Sequence, residues 1–206
     1  MIEYLYALLL WLAVFLPSSS LASLLAERGK GFAGAGIQGA FLILSLTLIS
    51  LLRIPLGFGL VYLPHAIASG FFVSLALNLG ERLLPGEKAR VKAEMPEGLL
   101  WRVLLLLILA PLAEESLNRG LVEGYLLSQG QFRGAIGFSA LLFALPHWIA
   151  FEGASSRKAY VTAGAFLMGL IVGYLFAFSG SLLTAFAFHS SANLAGFIFS
   201  LLNENS

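Results

Sequence analysis

Long apolar blocks, separated by short charged clusters or by Gly and Pro, set the rhythm of this chain. Runs of about 18 residues or more with few charges are long enough to cross the ~30 Å hydrocarbon core as helices. Taking each block between its breaks predicts seven helices, at roughly 3–25, 32–53, 58–80, 98–127, 135–151, 159–178 and 182–202. The fold class is therefore an all-α polytopic transmembrane bundle. The blocks are continuous, not the alternating segments of about ten residues that build a membrane β-barrel. The fourth block is too long for one crossing, since 30 residues of helix reach ~45 Å. Its excess length, with Gly120, Gly124 and Gly130 as points of weakness, predicts a second half lying at the membrane interface.

The substantial loop, "GERLLPGEKARVKAEMPEG" (Gly80–Gly98), holds much of the clustered charge. It divides an accessory N-terminal part, 1–97, from a functional core, 98–206. The N-terminal block could be mistaken for a signal peptide, but it opens with Glu3 and has no Lys or Arg, so it reads as the first transmembrane helix. On alternate sides of the predicted helices, Arg28, Lys30, Arg82, Lys88, Arg90, Lys92, Arg102, Arg157 and Lys158 face Arg53 and Arg133. That asymmetry places the Gly80–Gly98 loop in the cytoplasm for a seven-helix chain.

Composition sharpens the picture. The 206 residues are 59% hydrophobic and 11% charged, with a mean hydropathy of +0.89; a soluble domain carries about 25% charge. A net charge of +1 gives no sign of a nucleic-acid partner, and the absence of cysteine removes disulfides, thiolate nucleophiles and Cys metal ligands. The partners implied are the lipid bilayer and a membrane-associated peptide or protein; oligomeric state is not legible.

Against this background "LAEESLNRGLVEGY" (Leu112–Tyr125) stands out. A charge at mid-membrane costs about 2.5–3.5 kcal/mol on insertion scales and normally faces a partner or a wet cavity. Glu115 and Arg119, spaced i, i+4, can neutralise each other. Glu114 points elsewhere, in line with Asn118, and is left without an answer on its own helix. Three other polar positions lie in apolar segments: His147 after Pro146, and His189 and Asn193 on one face of the last helix. Each alone reads as a buried hydrogen-bonding residue. Together, Glu114, His147, His189 and Asn193 suit a shared site, in which a carboxylate and an imidazole manage a water proton while a second His and an Asn hold an oxyanion.

These residues also carry a family likeness. "EESLNRG" fits E-E-x-x-x-R, "FALPH" (Phe143–His147) fits F-x-x-x-H and "HSSAN" (His189–Asn193) fits H-x-x-x-N, in that order. Over roughly Leu100–Phe199 the chain resembles the CAAX protease and bacteriocin-processing (CPBP, or Abi) family of intramembrane glutamate proteases. The resemblance implies that Glu114 and His147 activate water, that Glu115 and Arg119 support them, and that His189 and Asn193 form the oxyanion hole. It implies no cofactor, although a metal on Glu114, His147 and His189 is chemically conceivable. Asn118 departs from the pattern, since many members have Phe there. Small size and the lack of soluble domains favour a prokaryotic inner-membrane enzyme acting on the C-terminus or leader of an unprenylated substrate.

Two other classes compete: a proton-coupled transporter, which would usually show paired half-repeats that are absent here, and a non-catalytic immunity protein. A zincin would need H-E-x-x-H, and a rhomboid-like protease G-x-S-G; neither occurs. His65 reads as structural, Trp11, Trp101 and Trp148 as anchors or packing, and Gly164, Gly169 and Gly173 as sites of close helix contact.

Overall fold

A computed structural model describes residues 1–27, 32–85, 89–92 and 96–204. Arg28, Lys30 and Lys88 of the charge asymmetry lie outside the described residues. Among the described residues, seven helical segments form the bundle: α1 (Ile2–Ala26), α2 (Phe32–Leu51), α3 (Leu63–Arg82), a composite α4 (99–128), α5 (Phe132–Ala150), α6 (Ser155–Ser179) and α7 (Leu182–Glu204). All of these except α4 contain a stretch long and apolar enough to cross a membrane. The predicted helix count holds, and so does the all-α polytopic class.

The ends follow local chemistry. α3 starts at Leu63, later than the apolar pattern predicts, because Pro64 suits a first turn, where its missing N–H is not needed. α6 ends at Gly180, in left-handed conformation (φ 61°) with its N–H returned to Phe176 O, and α7 begins immediately after. An extended stretch before α3 straps onto that turn. Gly57 N–H donates to Gly180 O and Leu182 N–H to Gly57 O, both at 2.9 Å. The Ser181 and Thr184 hydroxyls donate to Gly59 O and Val61 O. This fastening fixes the start of α7, and with it the height of His189 and Asn193.

The fourth helix corrects the sequence reading. It passes through Gly120 and Gly124 without a break, and ends near Gly130 (φ 76°). Its second half is not interfacial: every residue from Glu115 to Gly124 is buried. The apparent excess length is the most enclosed part of the bundle, packed against α1, α2 and α5. Two stretches, Leu105–Leu109 and Ser116–Glu123, are wound as π-helix, between α-helical Leu99–Leu104, Ala110–Glu115 and Gly124–Ser128.

Among the described residues, three apolar clusters hold the helices. Trp11 and Val14 of α1, Phe41 and Ile49 of α2, and Leu117 and Leu121 of α4 belong to the first; Ala66, Val172, Phe176, Ala185 and Phe188 join α3, α6 and α7 in the second; Phe143 and Ala144 of α5 meet Ala165 of α6 in the third. Of the tryptophans, Trp11 packs inside, whereas Trp101 and Trp148 are exposed. A two-residue antiparallel pair, β1 (Arg90–Val91) with β2 (Phe151–Glu152), ties the charged loop to the end of α5.

α5 and α6 meet where Gly169 faces Ala140: a Cβ on Gly169 would lie 3.0 Å from both Cα and Cβ of Ala140. Gly169→Val therefore forces the two helices apart and is expected to cost ~1–3 kcal/mol, read as a lower midpoint of thermal unfolding in detergent.

Candidate active site

The site starts from a carboxylate and a guanidinium that no water reaches. Arg119 and Glu115 are both fully buried, and Arg119 Nε donates to Glu115 Oε2 at 3.0 Å. The predicted i, i+4 pair is present, and it is one part of a larger cluster. Glu123, one turn further along and equally buried, stands 3.5 Å from Arg119 Nη1. Ser139 of α5 bridges them, accepting a hydrogen bond from Arg119 and donating to Glu123 Oε2 at 2.9 Å. Gly173 of α6 leaves the space for this second carboxylate, since a Cβ there would fall 2.8 Å from Glu123 Oε2.

Glu123 and Ser139 were absent from the sequence-derived site. A signal existed for the first: Glu115, Arg119 and Glu123 repeat at every fourth position, which places an acid on each side of the cation. Nothing in the sequence marks Ser139, whose role comes from the packing of α5 on α4.

On its other side Glu115 reaches α7. His189 Nδ1 lies 2.7 Å from Glu115 Oε1. A carboxylate only accepts, so Nδ1 carries the proton and the ring is fixed with Nε2 towards Glu114, whose Oε2 is 3.9 Å away. Glu114 itself is partly exposed to the cavity. Gln38 of α2 donates to its Oε1 at 2.7 Å, so a helix of the predicted accessory part touches the site. Asn118 points as expected from the helical spacing, and its Nδ2 donates to Glu114 O at 2.8 Å.

His147 sits near the end of α5. Its Nδ1 is 3.0 Å from Phe143 O; a carbonyl accepts, so Nδ1 is the protonated nitrogen and Nε2 keeps a free lone pair. Phe143 explains the aromatic of the F-x-x-x-H pattern. Its ring centroid lies 5.1 Å from that of His147 and 5.5 Å from that of His189, edge-on to the latter, with the Arg119 guanidinium 5.4 Å away. One side chain thus wedges both imidazoles and shields the buried cation.

Asn193 is anchored by the first π-helical stretch. A π turn shifts the backbone ladder to i→i+5 and recurs at functional sites. Here Leu106 O accepts from Asn193 Nδ2 at 2.8 Å, and Leu107 O accepts from the Ser190 hydroxyl at 2.7 Å. The remaining N–H of the Asn193 amide is left for the cavity. Glu114, His147, His189 and Asn193, from α4, α5 and α7, line one cavity of about 560 Å³. Among the described residues, no group of three His, Asp or Glu side chains is placed to hold a metal ion.

Neither the curated proteins nor the solved structures contain a match to this chain. A protein-family model does match: residues 96–195 fit the family described as type II CAAX prenyl endopeptidase Rce1-like, a span that includes Glu114, Glu115, Arg119, His147, His189 and Asn193. With its helices long enough to cross a membrane, this chain is an integral membrane protein whose residues 96–195 match the family of type II CAAX prenyl endopeptidases described as Rce1-like.

Proposed function

We propose that the chain hydrolyses a peptide bond near the membrane surface with a water molecule activated by Glu114 and His147, without metal or covalent intermediate. The observation that carries this reading is the convergence of Glu114, His147, His189 and Asn193 on one cavity. His147 Nε2, with its free lone pair, takes a proton from the water as Glu114 orients it. The oxygen attacks the scissile carbonyl. The resulting oxyanion is held by Asn193 Nδ2–H and by His189 once its Nε2 is also protonated, Glu115 and Glu114 serving as counter-charges for that imidazolium. Collapse breaks the C–N bond as the proton passes from His147 to the departing amine, giving one new carboxylate and one new amino terminus. Glu115, Arg119, Glu123 and Ser139 do not touch the substrate; they hold His189 and Glu114 in register.

The substrate in this reading is the C-terminus or leader of a small or membrane-tethered prokaryotic protein without a prenyl group, and the enzyme resides in the inner membrane. Matched prenylated and unprenylated CAAX peptides, given to the purified enzyme in liposomes, test that choice. Cleavage of the unprenylated peptide with equal or higher kcat/KM supports it, and a strict need for the prenyl group overturns it. Within the mechanism, Asn193→Ala removes one oxyanion donor and is expected to lower kcat about 10²–10³-fold with little change in KM, measured by single-turnover cleavage.

A further inference from the structure

The catalytic cavity has a second side. Phe143, His147, His189 and Asn193 also line a cleft of about 480 Å³ between α3, α6 and α7. The two sides differ in character. On the first, the outer wall is aromatic: Trp11 stacks on Phe15 at 4.3 Å between ring centroids, and Phe15 on Phe41 at 5.9 Å. On the second, Ser74, Asn78 and Glu81 of α3 follow one another at i, i+4, i+7, a spacing that sets them on one face, and all three line the cleft with Ser200 of α7. Asn78 Nδ2 bonds Ser74 O at 2.8 Å and Ser74 Oγ at 3.3 Å. From Ser74 to Glu81 the rise is ~10 Å, leading from the level of Gly196, one turn along α7 from Asn193, to the charged end of α3. There Arg157 binds the carbonyls of Glu81, Leu84 and Pro85.

Hydrolysis consumes one water per bond, and hydrocarbon supplies none. A row of polar side chains in a helix this apolar needs a wet or polar neighbour. We propose that the α3–α6–α7 cleft is the water route to the reaction centre, with Ser74 and Asn78 as its polar wall and Glu81 and Ser200 at its mouth. The proposal rests on the reading that Asn193 and His189 mark the place of reaction, but its test does not depend on cleavage.

The chain has no cysteine, so single cysteines report on local water without a further background change. A charged methanethiosulfonate reacts with the thiolate, which forms only where water reaches. In the full chain in liposomes, Ser74→Cys and Ser200→Cys are expected to label faster than Phe72→Cys, on the outward face of α3, by a factor of about ten or more. Adding Asn78→Leu fills the route and should slow Ser74→Cys by a similar factor while leaving Ser200→Cys unaffected. If Ser74→Cys misfolds, a cysteine at Asn78 itself replaces it. Labelling of the deep cysteine no faster than Phe72→Cys, or Ser74→Cys labelling insensitive to Asn78→Leu, overturns the route even if peptide cleavage is intact. Loss of the hydrolytic reading, by contrast, leaves these labelling rates where they are.

Discussion

Glu114→Gln is expected to abolish peptide cleavage, by about 10²–10⁴-fold, in a protein that still inserts and unfolds at the parent temperature. The substitution keeps the shape of the side chain and leaves an oxygen for Gln38 Nε2, which now donates to Glu114 Oε1. What it removes is the carboxylate charge that faces His189 Nε2 at 3.9 Å and the cavity. His147→Ala should fall as far, since it deletes the free imidazole lone pair. Paired measurements of cleavage rate and thermal midpoint separate this loss from misfolding. A residue of merely structural importance would lower both.

Arg119→Met has the largest expected effect on stability. It leaves the carboxylates of Glu115 and Glu123, both fully buried, without their shared cation. Breaking a buried ion pair in this way costs about 3–5 kcal/mol, because an uncompensated charge stays behind. The midpoint of thermal unfolding in detergent should fall by roughly 10 °C, with a loss of folded yield. Adding Glu115→Gln and Glu123→Gln to Arg119→Met should recover much of the stability, but not activity, because His189 loses its ionic partner at Nδ1. A single Arg119→Met variant as stable as the parent would show that the cluster does not hold α4, α5 and α7 together.

These two residues also show what the sequence could and could not reveal. The expense of charge in hydrocarbon made Glu114, Glu115 and Arg119 conspicuous, and helical spacing assigned Arg119 to Glu115 correctly. His147, His189 and Asn193 were legible as polar exceptions and through the order of the three motifs. Gln38 was not, since a lone amide in an apolar helix carries no spacing signal until α2 is packed on α4. The π-helical stretch at Leu105–Leu109 reads as an ordinary apolar helix. Its register has meaning only through Ser190 and Asn193, more than eighty residues away, which take up Leu107 O and Leu106 O. The burial of Ser116–Glu123 was misjudged for a similar reason. A segment rich in polar groups resembles an interface until each polar group has found its partner inside the bundle.

The most direct test of a Glu114- and His147-dependent endopeptidase is mass spectrometry of a CAAX-type peptide incubated with the purified, chelator-treated chain in liposomes. The expected result is a single new pair of termini, with one solvent oxygen in the new carboxylate, formed by the parent and not by Glu114→Gln or His147→Ala. Cleavage that persists in Glu114→Gln, or that disappears with chelation and returns with added metal, would contradict it.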